Sequence, residues 1–293
     1  MKINYPTIYE IAYHTYAVNE FGMASFYVIR GSERGLVIDT ASGSVDVKKI
    51  ADQLCPVPYD VVLTHSHGDH CGGMGVFDRV WIHESELPID PEFVKAIRWH
   101  NPAIWEGSHS RKFPVLMPDG REFDSEGLDH GAKDIYDIRE EMFMDVKMPE
   151  FDYLEDGQVF PLGDGQDILA LFTPGHTVGG FSFIDPKTRI LFSGDSCNYN
   201  LGATAVPVKT LQESLLKLKA HEYMYDRNFN GHIAPAADTC GMSQPESVLD
   251  DHLYLCEKLL SHEKPFALEE RRGKQMGVAY HGAVRLNFDP ESI

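Results

Sequence analysis

The chain has 293 residues, 43% of them apolar, and carries a formal net charge of −19 from 45 acids against 26 bases. That is ample apolar material for a buried core, and the acidic balance excludes the basic footprint that a nucleic-acid partner requires. No stretch approaches the roughly 18 apolar residues of a membrane span, the start at Met1–Pro6 does not read as a leader, and five cysteines without a CxxC pair argue for free thiols, so the expected setting is the cytoplasm, with no membrane partner.

From Ile8 to Asp39, short apolar runs such as Phe26–Ile29 and Leu36–Ile38 alternate with glycines and predict the strands of a meander. Val47, Ile50, Ala51 and Leu54 then fall on the stripe of an amphipathic helix. Val61–Leu63 reads as a buried strand that ends in Thr64, and His65, His67, Asp69 and His70 follow within a glycine-bearing loop. In an extended segment His65 and His67 can reach one ion while Asp69 and His70 turn toward a second. After a strand over Arg79–Ile82 the pattern becomes irregular from about residue 83 to 151, with helical spacing only at Phe93, Ala96, Ile97 and His100. Between Asp119 and Asp156 there are 14 acids and 4 bases, a net of −10, so that stretch is expected to be solvated. Regular patterning resumes at Gln158. Strands over Asp167–Thr173, Phe181–Ile184 and Arg189–Ser193 lead to His176 and Asp195, and a helix bearing Leu211, Leu215 and Leu218 precedes the apolar run Tyr223–Phe229, which ends at His232. Ser243–Glu246 reads as a capping box for a helix with Leu249, His252, Leu253, Cys256, Leu259 and Leu260 on its apolar face. Val278–Tyr280 and Val284–Leu286 are expected to finish the second sheet.

THSHGDH followed by GG resembles the signature loop of the metallo-β-lactamase fold superfamily, and PGH at His176, SGD at Asp195 and NGH at His232 match its later motifs. The resemblance implies an α/β fold, an αββα sandwich. On that reading residues 1–293 form a single domain with an insertion at about 83–151. It also implies one metal on His65, His67 and His176, a second on Asp69, His70 and His232, and Asp195 bridging both. Asp39 would brace the histidine loop. Nitrogen and carboxylate ligands suit Zn²⁺, two ions in this case, although iron or manganese fits the same donors.

Two such ions lower the pKa of a bound water enough to give hydroxide near neutral pH. The expected function is therefore that of a metallo-hydrolase attacking the carbonyl of a small-molecule ester, lactone or thioester, with Asp69 carrying a proton to the leaving group. A phosphodiesterase of the same fold is the alternative, and a metal-stabilised binding scaffold is the reading from another class. In lactonases that resemble this chain a tyrosine stands three positions after the bridging aspartate; here that position is Asn198 and the tyrosine is Tyr199. Trp99, Trp105, Phe113 and Phe143 of the insertion would serve either as a ceiling over the substrate or as a contact between copies in a homo-oligomer.

Overall fold

Ala24–Arg30 is a strand buried on both faces: Phe26 and Val28 point one way and Tyr27 and Ile29 the other, all at 1% exposure or less. A strand with two dry faces has to lie between two layers. The computed structural model describes residues 3–4, 6–20, 23–99, 115–116, 122–123, 133–134, 140, 144–232 and 243–293 apart from 262, 264 and 272. A meander of β1 (Thr7–Ala12), β2 (Thr15–Glu20), β3 (Ala24–Arg30) and β4 (Gly35–Ile38) opens the first sheet, each strand antiparallel to the last. Helix α1 (Val47–Leu54) crosses over, and β5 (Tyr59–Val62) lies parallel to β4. Its buried residues are Val47, Ile50, Ala51 and Leu54, the stripe read from the sequence. They pack on Phe26 and Val28 in one core, where each large aliphatic group contributes about 1.5–3 kcal/mol.

The short α2 (Gly68–Cys71) follows β5, β6 (Arg79–Ile82) lies parallel to β5, and α3 (Pro91–Trp99) comes after it. β7 (Glu150–Tyr153) then pairs in parallel with β6, so the long intervening segment leaves and rejoins the sheet at one edge. This corrects the expected limit at residue 151, which falls inside a strand. Two two-residue strands of that segment, Val115–Leu116 and Glu122–Phe123, extend the opposite edge beyond β1. Trp105, Phe113, Tyr136 and Phe143 lie outside the described residues, as do the side chains of Trp99 and Phe123.

The second sheet has the order β8-β9-β10-β11-β13, from β8 (Val159–Pro161), β9 (Asp167–Phe172), β10 (Phe181–Asp185), β11 (Ile190–Gly194) and β13 (Arg227–Asn230). Its inner face, with Ile168, Ala170, Phe181, Phe183 and Phe192, meets Tyr27 and Ile29 of the first sheet. Its outer face, with Leu171, Ile184 and Leu191, meets Leu211, Leu215 and Leu218 of α4 (Val208–Ala220) and Leu255 and Leu259 of α5 (Val248–Leu260). The layers therefore run helix, sheet, sheet, helix.

Three further expectations change here. β12 (Asn200–Ala203), β14 (Phe266–Arg271), β15 (Lys274–His281) and β16 (Val284–Phe288) form a separate four-stranded sheet in the order β12-β16-β15-β14, rather than completing the second one. The capping box does not form. Gln244 is tied instead to β13 and to the residue before β12, donating from its backbone to Asn228 O and accepting from Tyr199 N, and α5 starts after Ser247 with no side-chain cap. The run Tyr223–Phe229 also divides, with a 3₁₀ turn at Glu222–Met224 and strand only from Arg227.

Candidate metal centre

β9 and β11 run parallel because β10 lies antiparallel between them, and β13 lies parallel to β11. All three carboxyl ends therefore meet at one rim of the second sheet. The end of β5 is joined to that rim by the backbone bond from Phe181 N to Thr64 O at 2.9 Å, and the start of β3 by that from Ser25 N to Gly231 O at 2.8 Å. Four strand ends converge, and each is followed by metal-competent side chains. The approach is close: a Cβ on Gly231 would stand 2.1 Å from His70 Cε1, so the turn before His232 requires glycine.

The seven residues singled out in the sequence come together as three overlapping groups, His65–His67–His176, His65–His70–Asp195 and Asp69–His70–His232, with the donor atoms of each group within 4.8 Å of one another. His176 Nε2 lies 2.9 Å from His67 Nδ1, close to the roughly 3.3 Å that two nitrogens of a tetrahedral zinc site would keep at about 2.05 Å from the ion. Asp195 Oδ2 stands between the groups, 3.6 Å from His176 Nε2, 3.7 Å from His70 Nε2 and 3.1 Å from His232 Nε2. Asp69 Oδ2 is 3.6 Å from His232 Nε2 and 4.0 Å from His70 Nε2.

The far side of four rings is tied to the protein. His176 Nδ1 donates to Gly202 O, His232 Nδ1 to Met23 O, and His70 Nδ1 to Asp39 Oδ2. Thr64 Oγ1 donates to Asp39, which leaves its lone pairs for His65 Nδ1 at 3.0 Å. Asp39 also accepts from Thr64 N, so one carboxylate orients two rings, the role that the family resemblance implied for it. These bonds fix the tautomers with Nε2 facing inward. The buried His65 Nε2, His70 Nε2 and Asp195 Oδ1 have no hydrogen-bond partner, and orphaned donors aimed at one point fit cations.

The electrostatics agree with that fit. Burial, and then the neighbouring imidazoles, hold His65 well below the usual range and bring His67 down to about 4, so both offer lone pairs at neutral pH. Burial opposes charge on His70 and His232 as well, but Asp195 outweighs it, with Asp39 and Asp69 assisting at His70; His70 rises well above its usual range and His232 to about 9. Burial would raise Asp195, yet His232 and His70 hold it well below the carboxylate range. The carboxylates thus demand positive charge at this point, which divalent cations would supply while competing with protons for the same atoms.

Tyr199 packs against the outer core of the second sheet. The half-exposed Phe93 of α3 is the described aromatic ring beside the site, 6.2 Å from His67. Sequence reasoning missed the carbonyls of Gly202 and Met23, since any residue type supplies one. It also missed Glu86, whose carboxylate joins two of the loops.

A model of the metallo-beta-lactamase superfamily matches residues 19–220. Acyl-coenzyme A thioesterase MBLAC2 of Homo sapiens is 29% identical over 184 residues, taking in 59% of this chain and 57% of that protein. Atrochrysone carboxyl ACP thioesterase dmxR1 of Cryptosporiopsis sp. is 26% identical over 208 residues, covering 68% of this chain and 46% of that one. The chain thus spans about half the length of these curated relatives. Among solved structures, VMB-1 superposes with a TM-score of 0.55 at 15% identity, covering 88% of this chain and 99% of that one, a likeness of fold.

Proposed function

The chain belongs to the metallo-beta-lactamase superfamily, and from that premise we propose that it is a metal-dependent thioesterase holding two zinc ions. The observation that carries the reading is the convergence of orphaned Nε2 and carboxylate atoms on one rim, supported by two similar proteins named as thioesterases. His65, His67 and His176 would hold one ion, Asp69, His70 and His232 the other, and Asp195 both. Bound there, the ions would polarise a thioester carbonyl and make hydroxide available near neutral pH. Asp39, Gly202 O and Met23 O keep the rings turned inward, so little reorganisation accompanies charge development. Asp69, its side chain 24% exposed, would pass the proton of the attacking water to the departing thiolate, so that thioester and water become carboxylic acid and thiol. Phe93 offers an apolar wall beside His67.

We also read residues 1–293 as one domain carrying the insertion. A cytoplasmic setting fits the described cysteines Cys55, Cys197 and Cys256, which are buried free thiols. No helix among the described residues is long and apolar enough to cross a membrane. The test is a panel of acyl thioesters, oxyesters, lactones and phosphodiesters, run with metal analysis. Thioester turnover, close to two metal equivalents, and a lowering of both turnover and metal content in His67→Ala are expected. Turnover of oxyesters or phosphodiesters with none of thioesters would reject the substrate class, and a wild-type protein without metal after metal-supplemented expression would reject the centre.

A further inference from the structure

A fourth carboxylate, beyond Asp39, Asp69 and Asp195, lies between two of the ligand loops and, like Asp39, belongs to none of the metal-competent groups. Glu86 is 6% exposed and ends the 3₁₀ turn Glu84–Glu86 that follows β6. Its Oε2 accepts from Ser66 N at 2.9 Å and from Ser66 Oγ at 2.5 Å, while Oε1 accepts from Gly179 N at 2.7 Å. Ser66 stands between His65 and His67, and Gly179 belongs to the loop that carries His176. The turn is itself held against the second sheet, because the His83 ring stacks on Phe172 at the end of β9 with centroids 4.5 Å apart. Contact at the far loop is tight: a Cβ on Gly179 would lie 2.6 Å from Glu86 Cγ.

We infer that Glu86 is a positioning residue that sets the distance between the His65–His67 loop and the His176 loop, and so shapes the three-histidine group. The inference rests on the metal-centre reading above. Those loops come from different sheets, and the single carboxylate is bonded to both. A carboxylate suits the task because it is acceptor-only, with lone pairs on both oxygens, and its bonds to N–H and O–H donors are charge-assisted. An amide of the same size has one acceptor oxygen, and its NH₂ would confront an N–H, so glutamine releases one loop while keeping shape and volume. Glu86 approaches neither Asp69 nor His232 through any of these bonds, so its influence falls on one donor group.

The test is a Co²⁺ titration of wild type and Glu86→Gln against a competing chelator, read by visible absorption, with thermal unfolding alongside. His67→Ala identifies which binding step belongs to the three-histidine group. In Glu86→Gln that step is expected to weaken by roughly tenfold to a hundredfold, with a changed absorption band, while the other step keeps wild-type affinity. Ser66→Ala, which removes one of the three bonds, should move the same step by less, and it carries the test if Glu86→Gln does not fold. Equal affinities and spectra in variant and wild type would overturn the inference, as would equal weakening of both steps, the mark of a merely structural role. A wild-type protein that takes up no Co²⁺ would overturn the metal centre together with it, whereas a two-step wild type with an unaffected variant overturns Glu86 alone.

Discussion

Asp39 sits at φ 64°, in the left-handed region, and accepts from Thr64 N, Thr64 Oγ1 and His70 Nδ1. Its backbone conformation is unfavourable for a residue with a side chain, and three bonds at its carboxylate hold it there. His65, His67, Asp69 and His70 were legible in the sequence because histidine and aspartate are rare at such density, and His176, Asp195 and His232 only through the resemblance of their motifs. Their supports were legible only where a side chain supplies them, as at Asp39, and not where a main-chain carbonyl does, as at Gly202 and Met23. His252 shows what a lone histidine more often does. It is buried in α5 and donates from Nε2 to Asn198 O at 2.7 Å, while its Nδ1 has no partner. Burial lowers it to about 4, against smaller raising effects of the Asn198 carbonyl and Asp251. The unfolded chain, with histidine near 6.5, therefore binds the proton first. The stability due to a neutral His252 is complete above pH 6.5 and is lost as the pH falls toward 4, by at most ~3 kcal/mol. Chemical denaturation from pH 7 to 4.5 is expected to give a steeper loss in wild type than in His252→Gln, which cannot take the proton; parallel curves would show that His252 is not the sensor.

At the level of elements, α1 is legible in its helical apolar stripe, and β3, β6 and β9 in short apolar runs. The misreadings have a common cause: partners distant in sequence. β7 has an ordinary half-exposed EFDY run and is a strand because β6 lies beside it. β16 pairs with β12, and β15 with β16 and β14, rather than with the second sheet, a choice made by tertiary packing, which propensity does not encode. The insertion shows the same dependence. It leaves after β6 at the end of the sheet where the histidine loop lies, and α3 crosses that loop closely enough that a Cβ on Gly68 would be 3.1 Å from Val94 Cα. Its strand Val115–Leu116 pairs with Ile8 and Tyr9 at the amino end of β1, and β1 runs opposite to β2, so this junction lies at the same end of the sheet. The ions would polarise almost any carbonyl, so substrate choice has to come from such neighbours. Replacing residues 100–143 by a short linker, in a variant shown to fold and bind metal, is expected to broaden selectivity across thioester chain lengths. An unchanged chain-length profile would assign the segment to another task, such as contact between copies.

Over the whole molecule, a net charge of −19 sets the field in which any substrate approaches. Coenzyme A thioesters carry phosphates, so at low ionic strength the protein repels them over a distance of tens of ångströms, while cations at the rim attract only at short range. A thioester on a small neutral thiol feels neither effect strongly. If association contributes to the rate, kcat/KM for a coenzyme A thioester should rise by at least about twofold as salt is raised from 10 to 150 mM and screens the repulsion, whereas that for the neutral thioester should stay flat. A nucleic acid, with many more phosphates, should not be cleaved under either condition. The comparison separates field from pocket because the two thioesters share the acyl group and the scissile bond. A kcat/KM for the coenzyme A thioester that falls with salt would mean that the approach is guided by a local basic surface that outweighs the global charge, and the expectation drawn from net charge would then be wrong.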